Sequence, residues 1–137
     1  MTLALPSAIA DAIREHARTG VPEEIVGVLA GKHGEHESRV RRAYRAANVA
    51  TRPTRRYEID PKTELELLER IEDAGLEPVG FYHSHPEGPP KPSETDVELA
   101  AWPDYSYVIV SLASGELEIK SWRWRDDRFE REPVRIE

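Results

Sequence analysis

The chain has no cysteine. Disulfides and thiolate ligands are therefore excluded, and any bound metal must sit on histidine, aspartate or glutamate. No apolar run approaches the roughly 20 residues that cross a bilayer, so no membrane association is expected. The opening MTLALPSAIADAIREHARTG has no basic segment ahead of an apolar core. It does not read as a secretory signal, and the cytoplasm is the default location. No internal repeat, low-complexity tract or long Gly/Ser linker interrupts the 137 residues, which predicts one domain over residues 1–137. An excess of basic charge is missing too. The net charge of −7 argues against sequence-independent nucleic-acid binding, which needs Lys and Arg to neutralise phosphates.

What is present reads as a layered α/β (α+β) domain with one central sheet. Pro6 opens a predicted helix that runs to about Arg18, with Ile9 and Ile13 facing the core, before Gly20 and Pro22 end it. EEIVGVLAGK (23–32) suits a buried strand, and SRVRRAYRAANV (38–49) a more exposed one. Asp60 and Pro61 form an N-cap and first-turn pair for a helix stopping at Gly75. EPVGFYHSH (77–85) is a strand, and SETDVELAAW (93–102) a helix halted by Pro103. YSYVIVSL, GELEIKSWRWR and RFEREPVRI read as three strands joined by short turns. Trp122 and Trp124 share a parity opposite to that of Leu117 and Ile119. That shift predicts a bulge near Lys120 or Ser121, or a face covered by a partner such as a second copy in a homodimer.

The charge is uneven. Seven of the fifteen arginines (Arg39, Arg41, Arg42, Arg45, Arg52, Arg55 and Arg56) lie between residues 39 and 56. A solvated strand and loop explains them; a docking patch for an acidic partner is the sharper reading.

The densest chemistry lies in FYHSHPEGPPKPSETD (81–96). His83 and His85 are two apart at a strand end, so their side chains face one way and can share a metal, while Ser84 faces the other. Asp96 follows on the first turn of the next helix. Two imidazoles and a carboxylate leave one corner of a tetrahedral zinc free, the pattern of a catalytic site. Plainer readings stand beside this one. His-x-His is also an ordinary polar strand end, Ser93 and Asp96 also form a Ser-x-x-Asp capping signature, and PEGPPKP is also a stiff connection.

The combination is more specific than its parts. His-x-His-Pro, six further residues and Ser-x-x-Asp follow an upstream EEIVGVLAG, and this pattern resembles the JAMM (MPN+) metalloprotease family. The resemblance implies an MPN/JAB1-like fold. It also implies one Zn(2+) on His83, His85 and Asp96, with Glu24, three before Gly27, as the acid–base group and Ser93 as the oxyanion donor. Glu23 is the alternative to Glu24; the family's spacing favours Glu24. The implied reaction is hydrolysis of an amide at the C-terminal glycine of a ubiquitin-like or sulfur-carrier protein, whose Gly-Gly tail would suit an exposed sheet edge beside the zinc. Metal-free relatives of this fold serve as scaffolds, the alternative reading, but those usually lack one or more of the five positions. A zinc deaminase would need cysteine ligands. Glu87, Asp104, His16, His33 and His36 are assigned no role at the metal. His16 is expected to pack on a helix face.

Overall fold

The computed structural model describes all 137 residues. The elements run β1 (Thr2–Leu5), α1 (Ser7–Gly20), β2 (Val26–His33), β3 (Glu37–Ala46) and α2 (Pro61–Asp73). They continue with β4 (Glu77–His85), α3 (Glu94–Leu99), β5 (Ser106–Ser111), β6 (Glu118–Trp124), β7 (Phe129–Glu132) and β8 (Val134–Ile136). One mixed eight-stranded sheet takes the order β7-β6-β5-β4-β2-β3-β1-β8, which is the layered mixture the sequence predicts.

Alternation along the strands sorts the core into two layers. Leu29, Val40, Val79, Tyr82 and Val108 pack with Ile13 and Ala17 of α1 on one face. Val26, Val28, Phe81, Tyr107 and Trp124 pack with Leu67 and Ile71 of α2 on the other. Asp60 caps α2 as expected, its carboxylate accepting the Thr63 amide at 3.3 Å, with Pro61 in the first turn. Gly75 takes φ 74° just beyond its end. Gly27 is forced by close approach. A Cβ there would fall 2.2 Å from the Tyr82 ring, which crosses β2 at that point.

Several expectations are corrected. Pro6 is the N-cap of α1 and the helix continues to Gly20. The strand β1 is absent from the sequence reading because TLAL is short and its partners, β3 and β8, are remote in the chain. RFEREPVRI is two strands. Pro133 has no N–H to give a ladder, so the chain leaves β6 there and joins β1, and its carbonyl accepts the Leu3 amide at 2.9 Å. The two edge strands are thus separated by one residue, and the sheet curls until its edges meet. Helix α3 ends at Leu99, short of Pro103. The Ala101 and Trp102 amides turn instead toward the Tyr107 hydroxyl, and Trp102 inserts among Phe81 and Tyr105.

The register of β5 with β6 is unbroken, so there is no bulge at Lys120 or Ser121. The irregularities lie in β2, between Leu29 and Gly31. The tryptophan parity has a different cause: both faces of β6 are covered by the chain itself. Ile119 joins the α1 layer, Trp124 packs on Phe129, and the Trp122 indole donates to the Pro90 carbonyl.

A buried polar cluster lies on β5, β6 and β7. The Glu132 carboxylate, at the end of β7, accepts hydrogen bonds from Arg123 Nε (3.1 Å) and Nη2 (2.8 Å) and from Ser106 and Ser121. Arg123 also reaches the Asp104 carbonyl and Ser38 on β3. This buried cluster ties the two ends of the curled sheet together.

Candidate metal centre

The site begins at the end of β4. Strand alternation turns His83 and His85 to the α2 face and Ser84 to the other, where its Oγ accepts the Ile25 amide at 2.9 Å. Ser84 is structural, as expected. The proline-rich loop after His85 is held by its carbonyls, since prolines have no amide to offer. Ser111 Oγ donates to Gly88, Trp122 Nε1 to Pro90 and His85 Nδ1 to Pro89 at 2.8 Å. Because a carbonyl only accepts, the last bond puts the His85 proton on Nδ1 and leaves the Nε2 lone pair facing inward.

Beyond the loop, Ser93 caps α3. Its Oγ accepts the Asp96 amide at 3.1 Å, and Asp96 Oδ2 returns a bond to the Ser93 amide at 2.9 Å. The same Oδ2 lies 3.3 Å from His83 Nε2 and 3.0 Å from His85 Nε2, and the two Nε2 atoms are 3.1 Å apart. One oxygen therefore serves the capping box and the histidine pair. Capping and metal ligation do not compete for it, because a carboxylate oxygen has two lone pairs.

Glu24 completes the group. Contrary to the sequence reading it lies before β2, not in it, fixed through its amide to the Pro53 carbonyl (2.7 Å) and its carbonyl to Asn48 Nδ2 (2.9 Å). The backbone turn, not strand parity, decides between the two glutamates: Glu24 is buried and Glu23 is exposed. Glu24, His83 and His85 offer ligand atoms within 4.8 Å of one another, all buried. Tyr57, which no motif flagged, stacks on the His83 ring with centroids 4.5 Å apart. Its only sequence signal was an aromatic residue in the segment leading to α2.

Burial pushes the Glu24 carboxyl up to about 7; the nearby Asp96 charge adds to that and His85 opposes it. Burial alone would raise Asp96 as well, but hydrogen bonds and charge from His83 and His85 hold it far below the usual carboxylate range. Burial lowers His83. His85 is raised, its hydrogen bonds to Asp96 and Pro89 outweighing burial.

The donor set fits a divalent cation. Ligand atoms 2.0–2.2 Å from a tetrahedral zinc stand about 3.3–3.6 Å apart, close to the three separations here. Two imidazole nitrogens and one oxygen at mutual contact exceed what a single proton can bridge. Glu24 Oε1 and His83 Nδ1 are buried with no partner at all, an unusual cost inside a protein.

The residues given no role at the metal lie outside the centre. His16 Nδ1 meets the Tyr82 hydroxyl at 2.9 Å on the α1 face, and burial with nearby Arg45 lowers it to about 4. His33 bonds Ser38, and Asp104 pairs with Arg125. Glu87 is exposed on the proline loop.

A mixed sheet with two histidines at the end of β4, gathered with Glu24 and Asp96 from neighbouring segments, defines a protein with a buried group that could hold a divalent metal. The chain belongs to the family described as prokaryotic homologs of the JAB domain, whose pattern it matches over residues 6–125. It is 42% identical to the desampylase of Haloferax volcanii, over 98% of this chain and 96% of that protein. It is 37% identical to the CysO-cysteine peptidase of Mycobacterium tuberculosis, over 98% and 90% respectively. A solution structure of a Desulfitobacterium hafniense protein superposes with a TM-score of 0.88 at 29% identity, over 100% of this chain and 93% of that one. The JAMM resemblance and the layered fold both hold. No helix is long and apolar enough to cross a membrane.

Proposed function

We propose that this 137-residue domain is a zinc-dependent peptidase. It would hydrolyse the amide formed by the C-terminal glycine of a ubiquitin-like or sulfur-carrier protein. The observation that carries this reading is the convergence of His83 Nε2, His85 Nε2 and Asp96 Oδ2 within 3.0–3.3 Å, beside a buried carboxylate without a partner. Relatives named for desampylase and CysO-cysteine peptidase activity support the substrate class.

His83, His85 and Asp96 would hold the ion. Zinc bound there supplies Lewis acidity towards water and a substrate carbonyl. The chain's own residues do the rest. Glu24 accepts the proton of the attacking water and delivers it to the departing amine, work suited to a carboxyl poised near neutrality. Water adds to the carbonyl carbon, the carbon–nitrogen bond breaks, and the proton ends on the amine. Ser93 spends its oxygen on the Asp96 amide, which fixes the hydroxyl and leaves its proton free to donate to the developing oxyanion. Tyr57 keeps the His83 ring plane and covers it from one side. β4 is paired by β2 as far as His83 and by β5 as far as His85, and the edge strands are β7 and β8, which argues against strand addition to β4 as the way the tail is held.

Metal analysis tests the reading. Purified protein should carry about one zinc per chain, and His83→Ala should lose it together with hydrolysis of a Gly-Gly-linked adduct. Glu24→Ala should keep the zinc and lose hydrolysis. Protein that takes up no zinc would be a scaffold.

A further inference from the structure

The chain contains no glutamine and a single asparagine, Asn48. Its carboxamide lies just past the end of β3, half-buried, and every hydrogen-bonding position on it is taken. Nδ2 donates to the carbonyls of Glu24 and Arg56, both at 2.9 Å, with the Pro53 carbonyl further off at 3.4 Å. Oδ1 accepts the amides of Glu58 at 3.0 Å and Ala50 at 3.1 Å. Two donors thus meet carbonyls and two lone pairs meet amides. The group fits only this way round, since a flip would set its NH2 against two N–H donors. An aspartate has no hydrogen to give there, and a serine or threonine has one.

These bonds bear on the site through Glu24. That residue precedes the β2 ladder, which starts at Val26, so no strand pairing fixes it. Its Oε1 is buried without a partner, and the backbone sets where it lies. The backbone has two anchors: the carbonyl accepts from Asn48, and the amide donates to the Pro53 carbonyl at 2.7 Å. Pro53 sits in the loop 49–58, which Asn48 closes through Ala50, Arg56 and Glu58. Both anchors therefore run through one side chain. The bonds to Arg56 and Glu58 also flank Tyr57, which stacks on His83.

Building on the hydrolase reading, we infer that Asn48 is a positioning residue for the acid–base step. Its hydrogen bonds all go to backbone groups and none to His83, His85 or Asp96. It acts on the reaction through the place it gives the Glu24 carboxylate. A displacement of about 1 Å in such a group can cost about 10²-fold in rate.

The test compares wild type with Asn48→Ala and the isosteric Asn48→Asp, each zinc-loaded and metal-free. On a Gly-Gly-linked adduct, kcat should fall about 10²-fold in both variants, while KM stays within about threefold. Zinc affinity, measured by chelator competition, should also stay within about threefold, since no ligand contacts the carboxamide. In metal-free protein, hydrogen exchange should speed up in peptides covering 23–26 and 49–58 and hold steady over β5. An unchanged kcat overturns the inference, and so does a rise in KM alone. Loss of zinc capture in both variants overturns it too, because Asn48 would then prop the whole centre. Unchanged exchange over 23–26 overturns it whatever the rates. If zinc-loaded wild type cleaves no adduct, the hydrolase reading fails and the acid–base role with it, while faster exchange over 23–26 would still show Asn48 anchoring Glu24.

Discussion

The protein buries charge in two places, and the two are built on opposite terms. Around Glu132 every carboxylate lone pair has a donor: Arg123 supplies two, Ser106 and Ser121 one each. Around His83 and His85 the accounting does not close. Lone pairs face one another across about 3 Å, and Glu24 Oε1 and His83 Nδ1 have no partner. A closed polar cluster of this kind serves the fold; an open one has donor atoms to offer to another group.

That difference can be broken from either side. The largest stability effect should come from Arg123→Met, which strands the Glu132 carboxylate in the interior and should cost about 3–5 kcal/mol. Replacing both members, as in Arg123→Met/Glu132→Leu, should cost much less. Denaturant unfolding of the two variants measures the gap. In activity, Ser93→Ala should lower kcat about 10²–10³-fold by analogy with other oxyanion donors. It should also cost about 1 kcal/mol as a lost helix cap, so steady-state kinetics and thermal unfolding should both register the change.

A subtler contrast concerns sign. In metal-free protein Glu24 titrates near 7, above the ordinary 4.5. The folded state therefore holds more protons than the unfolded one between those values, and stability falls as pH rises through that window. Glu24→Gln lacks this term, so the variant should gain on the wild type between pH 4.5 and 7 when thermal unfolding is followed in chelator. A lead for the variant that shrinks over that range would mean the carboxylate is not paying a burial cost. The smallest effect belongs to the surface. Arg41→Glu/Arg42→Glu should slow cleavage of a folded acidic carrier several-fold, more at low salt, and spare a short peptide. Equal loss on both would remove these arginines from docking.

The open cluster was far easier to find from the sequence than the closed one. His83, His85 and Asp96 lie within fourteen residues, and His-x-His on a strand followed by Ser-x-x-Asp fixes both spacing and facing. The same locality made the Asp60–Pro61 helix start readable. Glu24 needed the family pattern, because nothing near it in the chain signals its destination. The closed cluster joins Ser38 to Arg123 across 85 residues, and no periodicity reports such a meeting. Likewise, β1 is defined by partners at the far end of the chain, Pro133 decides a change of sheet edge that a simple strand reading misses, and the early end of α3 reflects Tyr107 claiming two amides.

The loop between the histidines and α3 carries one further consequence. Four of the seven residues from Pro86 to Pro92 are proline, so the unfolded chain has already given up much of the freedom that bringing Asp96 to the histidines would otherwise consume. Part of the stability of this end of the fold thus comes from a denatured ensemble with less freedom to lose. Replacing a loop proline by alanine at a position whose native backbone alanine can also adopt should lower the unfolding free energy by about 0.4–1 kcal/mol while leaving His83, His85 and Asp96 untouched.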